Sequence, residues 1–241
     1  MIERVRADKP LGNYFSQPRD NLELIKSGSM LLDLALGGGW AEGRIGNIVG
    51  TKSVGKTLLM IEAAANFANK YKNGEIKYRE AEAAFDISYA KALGMPIDRV
   101  DFGEGKLDTI EDFHDDLSNI AGKAEQPTLY ILDSLDSLSD VAELERGIRD
   151  GTFGAQKAKK LSEILRRLTR LLNGKDVTLL IVSQVRMKIG AMQFGPTTER
   201  TGGMALDFYA SQVLRLTQLR KLSKTISGIK RTTGIHIKGS V

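Results

Sequence analysis

The chain has 241 residues, of which 41% are hydrophobic and 27% charged, and it contains no cysteine. This length allows one full hydrophobic core, and the lack of cysteine excludes disulfides and thiolate metal sites, as fits a cytoplasmic protein. No apolar run approaches the roughly 18–20 residues that cross a bilayer, and residues 1–20 lack the apolar region of a signal peptide, so no membrane partner is expected.

Charge is unevenly distributed along the chain, although the net charge is only +5. Residues 1–142 carry 16 Lys and Arg against 23 Asp and Glu, whereas residues 184–241 carry 10 against 2. Residues 143–170 are also basic, with 8 against 4. A basic rear half favours a polyanionic partner. A merely solvated basic surface is the alternative, and charge alone does not choose between them.

Strand-like and helix-like segments alternate along the chain, which predicts an α/β fold with a mostly parallel central sheet flanked by helices. Apolar runs predict strands at residues 45–49, 75–82, 128–132 and 177–182. Helical spacing of apolar residues predicts helices at residues 58–71, 87–93, 109–121 and 155–172. The last of these helices is long, basic and amphipathic.

The pattern changes after the most apolar strand. Residues 186–203 are rich in glycine and threonine and show no hydrophobic period, which predicts a long loop. Loops of this length inside a compact domain are usually functional. Residues 213–219 and 234–238 alternate like the two strands of a C-terminal β-hairpin. We therefore expect one domain over residues 26–241, preceded by an N-terminal arm at residues 1–25.

Eight consecutive residues match the phosphate-binding pattern G-x-x-x-x-G-K-[ST] without a mismatch. The glycines let backbone N–H groups point at phosphate oxygens, and the following helix adds its positive end. In this pattern Lys56 reaches the β- and γ-phosphates and the Thr57 hydroxyl holds Mg²⁺. A chance glycine-rich turn is the alternative, but the match lies between a predicted strand and a predicted helix. We expect ATP and Mg²⁺ to be bound by Gly50, Thr51, Lys52, Ser53, Val54, Gly55, Lys56, Thr57 and Leu58.

Four polar side chains at predicted strand ends are candidates for the rest of a hydrolytic site. Asp133 follows an apolar strand at the edge of the sheet where ligands bind, and we expect it to complete the Mg²⁺ shell, with a helix N-cap as the alternative. Glu80 and Glu82 close the second strand and point the same way by its period of two, so either could activate the attacking water. Gln184 ends the strand at 177–182 and is a candidate reader of the γ-phosphate.

The chain resembles the RecA-type DNA strand-exchange recombinases, in a compact bacterial or phage form, over roughly residues 26–238. Besides the phosphate-binding loop, the resemblance rests on residues 26–38 (KSGSMLLDLALGG), 80–90 (EAEAAFDISYA) and 132–134 (LDS). The most specific stretches are 184–192 (QVRMKIGAM) and 201–211 (TGGMALDFYAS).

The resemblance implies roles for individual residues of the nucleotide site. Glu82 matches the catalytic glutamate of the family, which resolves the choice between it and Glu80, and it would act together with Lys56. Gln184 matches the glutamine that senses the γ-phosphate and passes the signal to the adjoining loop. Asp86 and Tyr89 match residues at the adenine.

The resemblance also implies two DNA-binding loops, at about residues 145–154 and 186–203. The second loop combines cations with apolar groups that can wedge between bases, as sequence-independent binding requires. Phe208 matches an aromatic residue at the subunit interface of a helical filament. The implied DNA contacts are Arg186, Met187, Lys188, Ile189, Gly190, Arg200, Thr201, Gly202 and Gly203, with Arg166 on the basic helix.

The function implied is that of a DNA-dependent ATPase. Such a protein binds ATP at the subunit interfaces of a helical filament on single-stranded DNA and promotes homologous pairing and strand exchange with double-stranded DNA. A RecA-like helicase or loader and a non-catalytic DNA-binding filament protein are the alternatives. The chain departs from the family pattern at Ala83, where bacterial members carry a histidine, and at Asp207 and Val213, which replace basic residues. The lysine pair that completes the neighbour's ATP site would lie beyond Val241.

Overall fold

The structure, a computed structural model, describes residues 22–105, 107–145, 154–187, 198–200 and 205–241. The strands are β1 (Leu24–Ile25), β2 (Trp40–Ala41), β3 (Ile45–Gly50), β4 (Glu75–Glu80), β5 (Val100–Asp101), β6 (Thr128–Asp133), β7 (Val177–Met187), β8 (Thr198–Arg200), β9 (Gln212–Ile226) and β10 (Ile229–Ser240). The α-helices are α1 (Met30–Ala35), α2 (Lys56–Lys70), α3 (Ile87–Ala92), α4 (Ile110–Lys123), α5 (Val141–Glu145), α6 (Gly154–Leu172) and α7 (Ala205–Tyr209).

The main sheet has the strand order β10-β9-β3-β7-β6-β4-β5, and β8 pairs with the C-terminal end of β7. Neighbouring strands from β9 to β5 are parallel, whereas β10 is antiparallel to β9 and β8 is antiparallel to β7. The predicted fold class and the C-terminal hairpin are thus confirmed. The hairpin is longer than expected, because pairing continues to the turn between Ile226 and Ile229.

The central strands are apolar at nearly every position because helices cover both faces of the sheet. Along β6, Leu129 and Ile131 pack on the side of α2, while Tyr130 and Leu132 pack on the side of α4 and α6. Helix α2 contributes its buried face to the first side, namely Met60, Ile61, Ala63, Ala64, Phe67 and Ala68. Both faces therefore hold the parallel strands in place, and their carboxyl ends form a common edge.

Two predicted boundaries were wrong, and both lie at this edge. Strand β4 ends at Glu80 rather than at Glu82, because the chain turns there and Ala83 adopts a positive φ of 53°. Strand β7 does not end at residue 182 but continues to Met187, because β8 supplies hydrogen-bond partners at residues 185–187. Residues 186–187 and 198–200 of the predicted loop at 186–203 therefore lie in a short antiparallel ladder, and Gln184 lies inside a strand rather than at its end.

Several predictions fall on parts of the chain outside the described residues. These are most of the N-terminal arm, most of the first predicted DNA-binding loop, and Lys188, Ile189, Gly190, Thr201, Gly202 and Gly203. At the end of the predicted arm, Leu24 and Ile25 pair with Ala41 and Trp40. Within the described ranges, no helix has the length and apolar character needed to cross a membrane.

Candidate nucleotide-binding site

The phosphate-binding pattern forms the connection from β3 to α2. Gly50 ends the strand, and a Cβ atom there would lie 2.7 Å from Val54 Cγ2, so only glycine fits. Gly55 has a φ of 91°, in the left-handed region that glycine adopts without strain, and α2 begins at the next residue. The Val54 side chain is buried in the core and anchors the loop. The predicted strand–loop–helix context is therefore present.

Lys56 lies over this loop, and its Nζ donates a hydrogen bond of 2.8 Å to the Thr51 carbonyl oxygen. The side chain is buried, and burial lowers the pKa of the ammonium group below its ordinary value. The carboxylates of Glu82, Asp133 and Asp136 oppose this shift of the Lys56 pKa. The lysine is thus a partly desolvated cation facing three acids.

Asp133 ends β6 and faces the start of α2. Its Oδ2 accepts hydrogen bonds from Thr57 Oγ1 at 2.7 Å and from Tyr78 Oη at 2.9 Å. Burial raises the pKa of the Asp133 carboxyl group, while these two hydrogen bonds act to lower it. The side chain is directed at the phosphate-binding loop, which is the orientation that a role in the Mg²⁺ shell requires.

The donor set fits a magnesium ion held with its nucleotide. Mg²⁺ prefers oxygen ligands and usually takes one or two from the protein, the rest coming from phosphates and water. The Thr57 hydroxyl and the Asp133 carboxylate are two such oxygens, 2.7 Å apart. Within the described ranges, no group of three or more His, Cys, Asp and Glu side chains could hold a metal. The protein ligands alone do not form a closed metal cage.

Glu80, the last residue of β4, and Glu82, just after it, have different environments, contrary to the prediction that they point the same way. The Glu80 carboxylate accepts backbone N–H groups of Glu82, Ala83 and Ala84 at 3.0, 2.9 and 2.9 Å, and so stabilises the turn. Glu82 instead extends across the edge of the sheet. The physical reason is that the strand period no longer applies once the chain turns at residue 81.

Glu82 Oε1 accepts two short hydrogen bonds from other elements. Ser134 Oγ and Gln184 Nε2 each donate to it at 2.5 Å. In the sheet, Gln184 lies opposite Gly50, at the start of the phosphate-binding loop. Five predicted residues are thus brought together at this edge: Lys56, Thr57, Glu82, Asp133 and Gln184.

Three residues of this cluster were missed by sequence reasoning. Tyr78 precedes Glu80 by two positions and shares its face of β4, which is a signal that could have found it. Ser134 follows Asp133 directly and is fully buried. Asp136, in the 3₁₀ turn Leu135–Ser137, accepts the Gln184 backbone N–H at 2.5 Å through its Oδ2. Nothing in the local sequence pattern indicates that contact.

The other predicted site residues lie apart from this cluster. Asp86 caps α3 by accepting the Tyr89 backbone N–H at 2.9 Å, and the Tyr89 ring is exposed. Phe208 on α7 is exposed to 77%. Arg166 lies on the exposed face of α6. Their roles at the adenine, at a subunit interface and on DNA stay predictions.

Strand β8 and the last residues of β7 belong to the second predicted DNA-binding loop and its base, and the structure describes their backbone pairing. Arg186 pairs with Glu199, Val185 with Arg200 and Met187 with Thr198. The ladder begins one residue after Gln184. The predicted sensor and the base of the predicted DNA-binding loop are therefore consecutive in one strand.

Comparison with known proteins places these features in a family context. The family model of the RecA N-terminal domain matches residues 3–240. The chain is 40% identical to Protein RecA of a Nitratiruptor species, over 79% of this chain and 54% of that relative. It is 36% identical to Protein RecA of Sulfurimonas denitrificans, over 91% of this chain, and to that of Streptomyces avermitilis, over 98%. In each of the latter two comparisons, 61% of the relative is covered.

Proposed function

Because this chain belongs to the RecA family, we propose that it is the core of an ATP-dependent DNA recombinase. In this proposal it hydrolyses ATP, forms a filament on single-stranded DNA, and promotes pairing and strand exchange with double-stranded DNA. Since the chain spans 54–61% of the length of the relatives compared above, its activity and partners are inferred from its own site as well as from the family.

The observation that carries the proposal is the convergence of a phosphate-binding loop with a hydrogen-bonded Glu82–Gln184 pair. The loop and Lys56 would hold the triphosphate, and Thr57 and Asp133 would hold its Mg²⁺. Bound Mg²⁺ neutralises negative charge on the phosphate oxygens. Glu82 would orient and deprotonate the attacking water, as a general base within hydrogen-bond reach does.

The same pair supports a switch on DNA binding. A γ-phosphate that accepts a hydrogen bond from the Gln184 amide would draw this side chain away from Glu82. Because Gln184 directly precedes the ladder between β7 and β8, its displacement would be passed to the base of the predicted DNA-binding loop at 186–203. ATP binding would then strengthen DNA binding, and hydrolysis would weaken it.

The basic face of α6 and the predicted DNA-binding loops support contacts made mainly to phosphates. Such contacts bind without base preference and weaken steeply with salt. The exposed Phe208 ring supports a subunit contact at α7. Together these features favour a filament along a nucleic-acid strand.

The decisive experiment measures ATP hydrolysis with and without single-stranded DNA, alongside electron microscopy for filaments and a strand-exchange assay. We expect DNA to stimulate hydrolysis and filaments to form with ATP. If DNA neither stimulates hydrolysis nor binds in the presence of ATP, the proposal is wrong. Unwinding of a forked duplex without strand exchange would instead indicate a helicase.

A further inference from the structure

Asp136 contacts the main chain of the predicted γ-phosphate sensor rather than its side chain. Its Oδ2 accepts the Gln184 backbone N–H at 2.5 Å, across 48 positions of sequence. The Gln184 side chain is directed elsewhere, toward Glu82. Gln184 is therefore held at two points by two carboxylates: its backbone N–H by Asp136 and its side-chain amide by Glu82.

This contact replaces a missing sheet partner. The ladder between β6 and β7 ends at Leu132 and Ile181, because the chain leaves the sheet after Asp133. A backbone N–H that faces β6 beyond that point has no carbonyl of β6 to bond to, and an N–H removed from water without an acceptor is costly; Gln184 is half-buried here. The Asp136 carboxylate supplies the acceptor for Gln184.

Asp136 is itself firmly placed. It lies in the middle of the 3₁₀ turn Leu135–Ser137, and the Leu135 and Leu138 side chains on either side are buried at 3% and 1% exposure. Backbone hydrogen bonds from Ser137 to Ser134 and from Leu138 to Leu135 close the turn. The carboxylate is thus a fixed point beside Gln184 in β7.

We propose that Asp136 is a positioning residue that anchors the Gln184 backbone, so that movement of the Gln184 side chain is transmitted forward into the β7–β8 ladder. The inference rests on the proposed function, because it concerns the link between nucleotide and DNA. With the N–H held, the strand cannot slide as a whole when the amide leaves Glu82. Displacement is then directed to residues 185–187 and the loop that follows them. Without the anchor, the end of β7 shifts together with the amide, and part of the signal is lost.

The test compares three variants of the chain with the wild type. Asp136→Ala removes the acceptor, whereas Asp136→Asn keeps a carbonyl oxygen that can accept the same N–H. Asp112→Ala is the matched control, because this carboxylate also accepts one backbone N–H, that of Thr109 at 3.0 Å, in the capping box of α4. Thermal melts establish that each variant is folded.

The functional readout is the ratio of the affinities for single-stranded DNA with a non-hydrolysable ATP analogue and with ADP. Allosteric coupling is usually about 5- to 150-fold, and we expect a wild-type ratio in this range. Asp136→Ala should reduce the ratio by about tenfold or bring it to one, while Asp136→Asn and Asp112→Ala retain it. An unchanged ratio in Asp136→Ala would overturn the inference and leave the proposed function standing. A wild-type ratio near one would overturn the proposed function, and with it the inference.

A structural readout is independent of DNA and nucleotide. In ¹⁵N-labelled protein, the Gln184 amide proton should exchange slowly in the wild type and faster in Asp136→Ala, with Asp112→Ala unchanged. If Asp136→Ala does not fold, Asp136→Asn is used for the test instead. A neutral oxygen accepts a hydrogen bond more weakly than a carboxylate, so the chemical shift of the Gln184 backbone amide proton should move upfield relative to the wild type. A Gln184 amide signal that is unchanged in both Asp136→Ala and Asp136→Asn would overturn the assigned contact.

Discussion

The Gln184 amide donates a hydrogen bond of 2.5 Å to the Glu82 carboxylate, joining two elements that are 102 positions apart in sequence. The amide comes from β7, in the middle of the sheet, and the carboxylate from the turn after β4. Strand β6 ends beside this position and β7 passes through it, and each element contributes one donor to the same oxygen, Ser134 from the chain just after β6 and Gln184 from within β7. A change at the phosphates that moves either side chain must therefore also change the environment of the proposed base.

Substitution of Glu82 by glutamine should reduce turnover while binding is retained. An amide cannot accept the proton of the attacking water, and general bases contribute about 10²- to 10⁴-fold to rate. Glu82→Gln should therefore reduce phosphate release by this factor but keep equilibrium binding of ATP and single-stranded DNA. Glu80→Gln is the matched control, because Glu80 bonds to backbone N–H groups of the turn and an amide oxygen can accept them in part. An equal loss of turnover in both variants would contradict the assignment.

The contribution of Mg²⁺ to ATP affinity should depend on Thr57 and Asp133. Thr57→Val and Asp133→Ala each remove a proposed oxygen ligand, so ATP affinity measured with Mg²⁺ and with EDTA should become similar. We expect a loss of about tenfold or more in the Mg²⁺-dependent gain. Tyr78→Phe removes the other hydrogen bond to Asp133 without removing a ligand, and it should reduce the gain less than either of these changes. Retention of the gain in Asp133→Ala would exclude this residue from the metal shell.

The fold and the phosphate-binding loop could be predicted because their signals are local and periodic. The apolar run at 128–132 and the glycine pattern at 50–57 each fit one structural context. A strand period also predicted that Glu80 and Glu82 share a face, and that was wrong. The Glu80 carboxylate accepts three backbone N–H groups and stabilises a turn at Ala83, which a period of two cannot represent.

The contacts that complete the site are long-range and non-periodic. Asp136 reaches Gln184 only because the chain leaves the sheet after Asp133 and turns back toward β7. Likewise, Arg186 and Met187 fall within the predicted loop at 186–203, but β8 supplies hydrogen-bond partners for this end of β7. Both depend on where strands end in three dimensions, and this information is absent from a window of sequence.

The pH dependence of ATP binding should follow Lys56. Burial lowers the pKa of this ammonium group below its ordinary value of 10.5, so the charge is lost at a lower pH than for an exposed lysine. ATP affinity should therefore fall as pH rises toward 10, before ordinary lysines titrate. Binding of a fluorescent ATP analogue between pH 7 and pH 10 measures this. Lys56→Arg should bind ATP more weakly, but its ATP affinity should not fall over this pH range, because a guanidinium group stays charged. The same pH profile of ATP affinity in both proteins would rule out Lys56 as the origin of the fall.

A buried ionic network should dominate the stability of the β4 side of the sheet. Arg79, at 6% exposure, donates to Asp116 at 2.7 Å through Nε, and Tyr130 Oη donates to the same carboxylate at 2.8 Å. Asp116→Ala leaves the guanidinium group buried with the Asp101 contacts and the face of the Tyr130 ring, but without its closest carboxylate. We expect a loss of about 3 kcal/mol in the free energy of unfolding, measured with urea. Asp115→Ala, at a neighbouring exposed carboxylate, should change it by less than about 0.5 kcal/mol; similar losses would show that the network is not the cause.

The exposed cations of α6 offer a test of the DNA-binding face that does not depend on hydrolysis. Arg166 is exposed, and no ion pair involves it among the described residues, whereas Arg167 pairs with Glu163 one turn away. If Arg166 contacts a phosphate, Arg166→Ala should weaken binding to single-stranded DNA equally for all sequences. The slope of log affinity against log salt concentration should decrease by about 0.7, since one counterion fewer is displaced from a single strand. Arg167→Ala should change the slope less, because its charge is already shared with Glu163. Both effects can be measured by fluorescence anisotropy between about 50 and 300 mM salt, with poly(dT) and mixed-sequence oligonucleotides as ligands. A slope that is unaltered in Arg166→Ala would place the DNA path away from this face of α6.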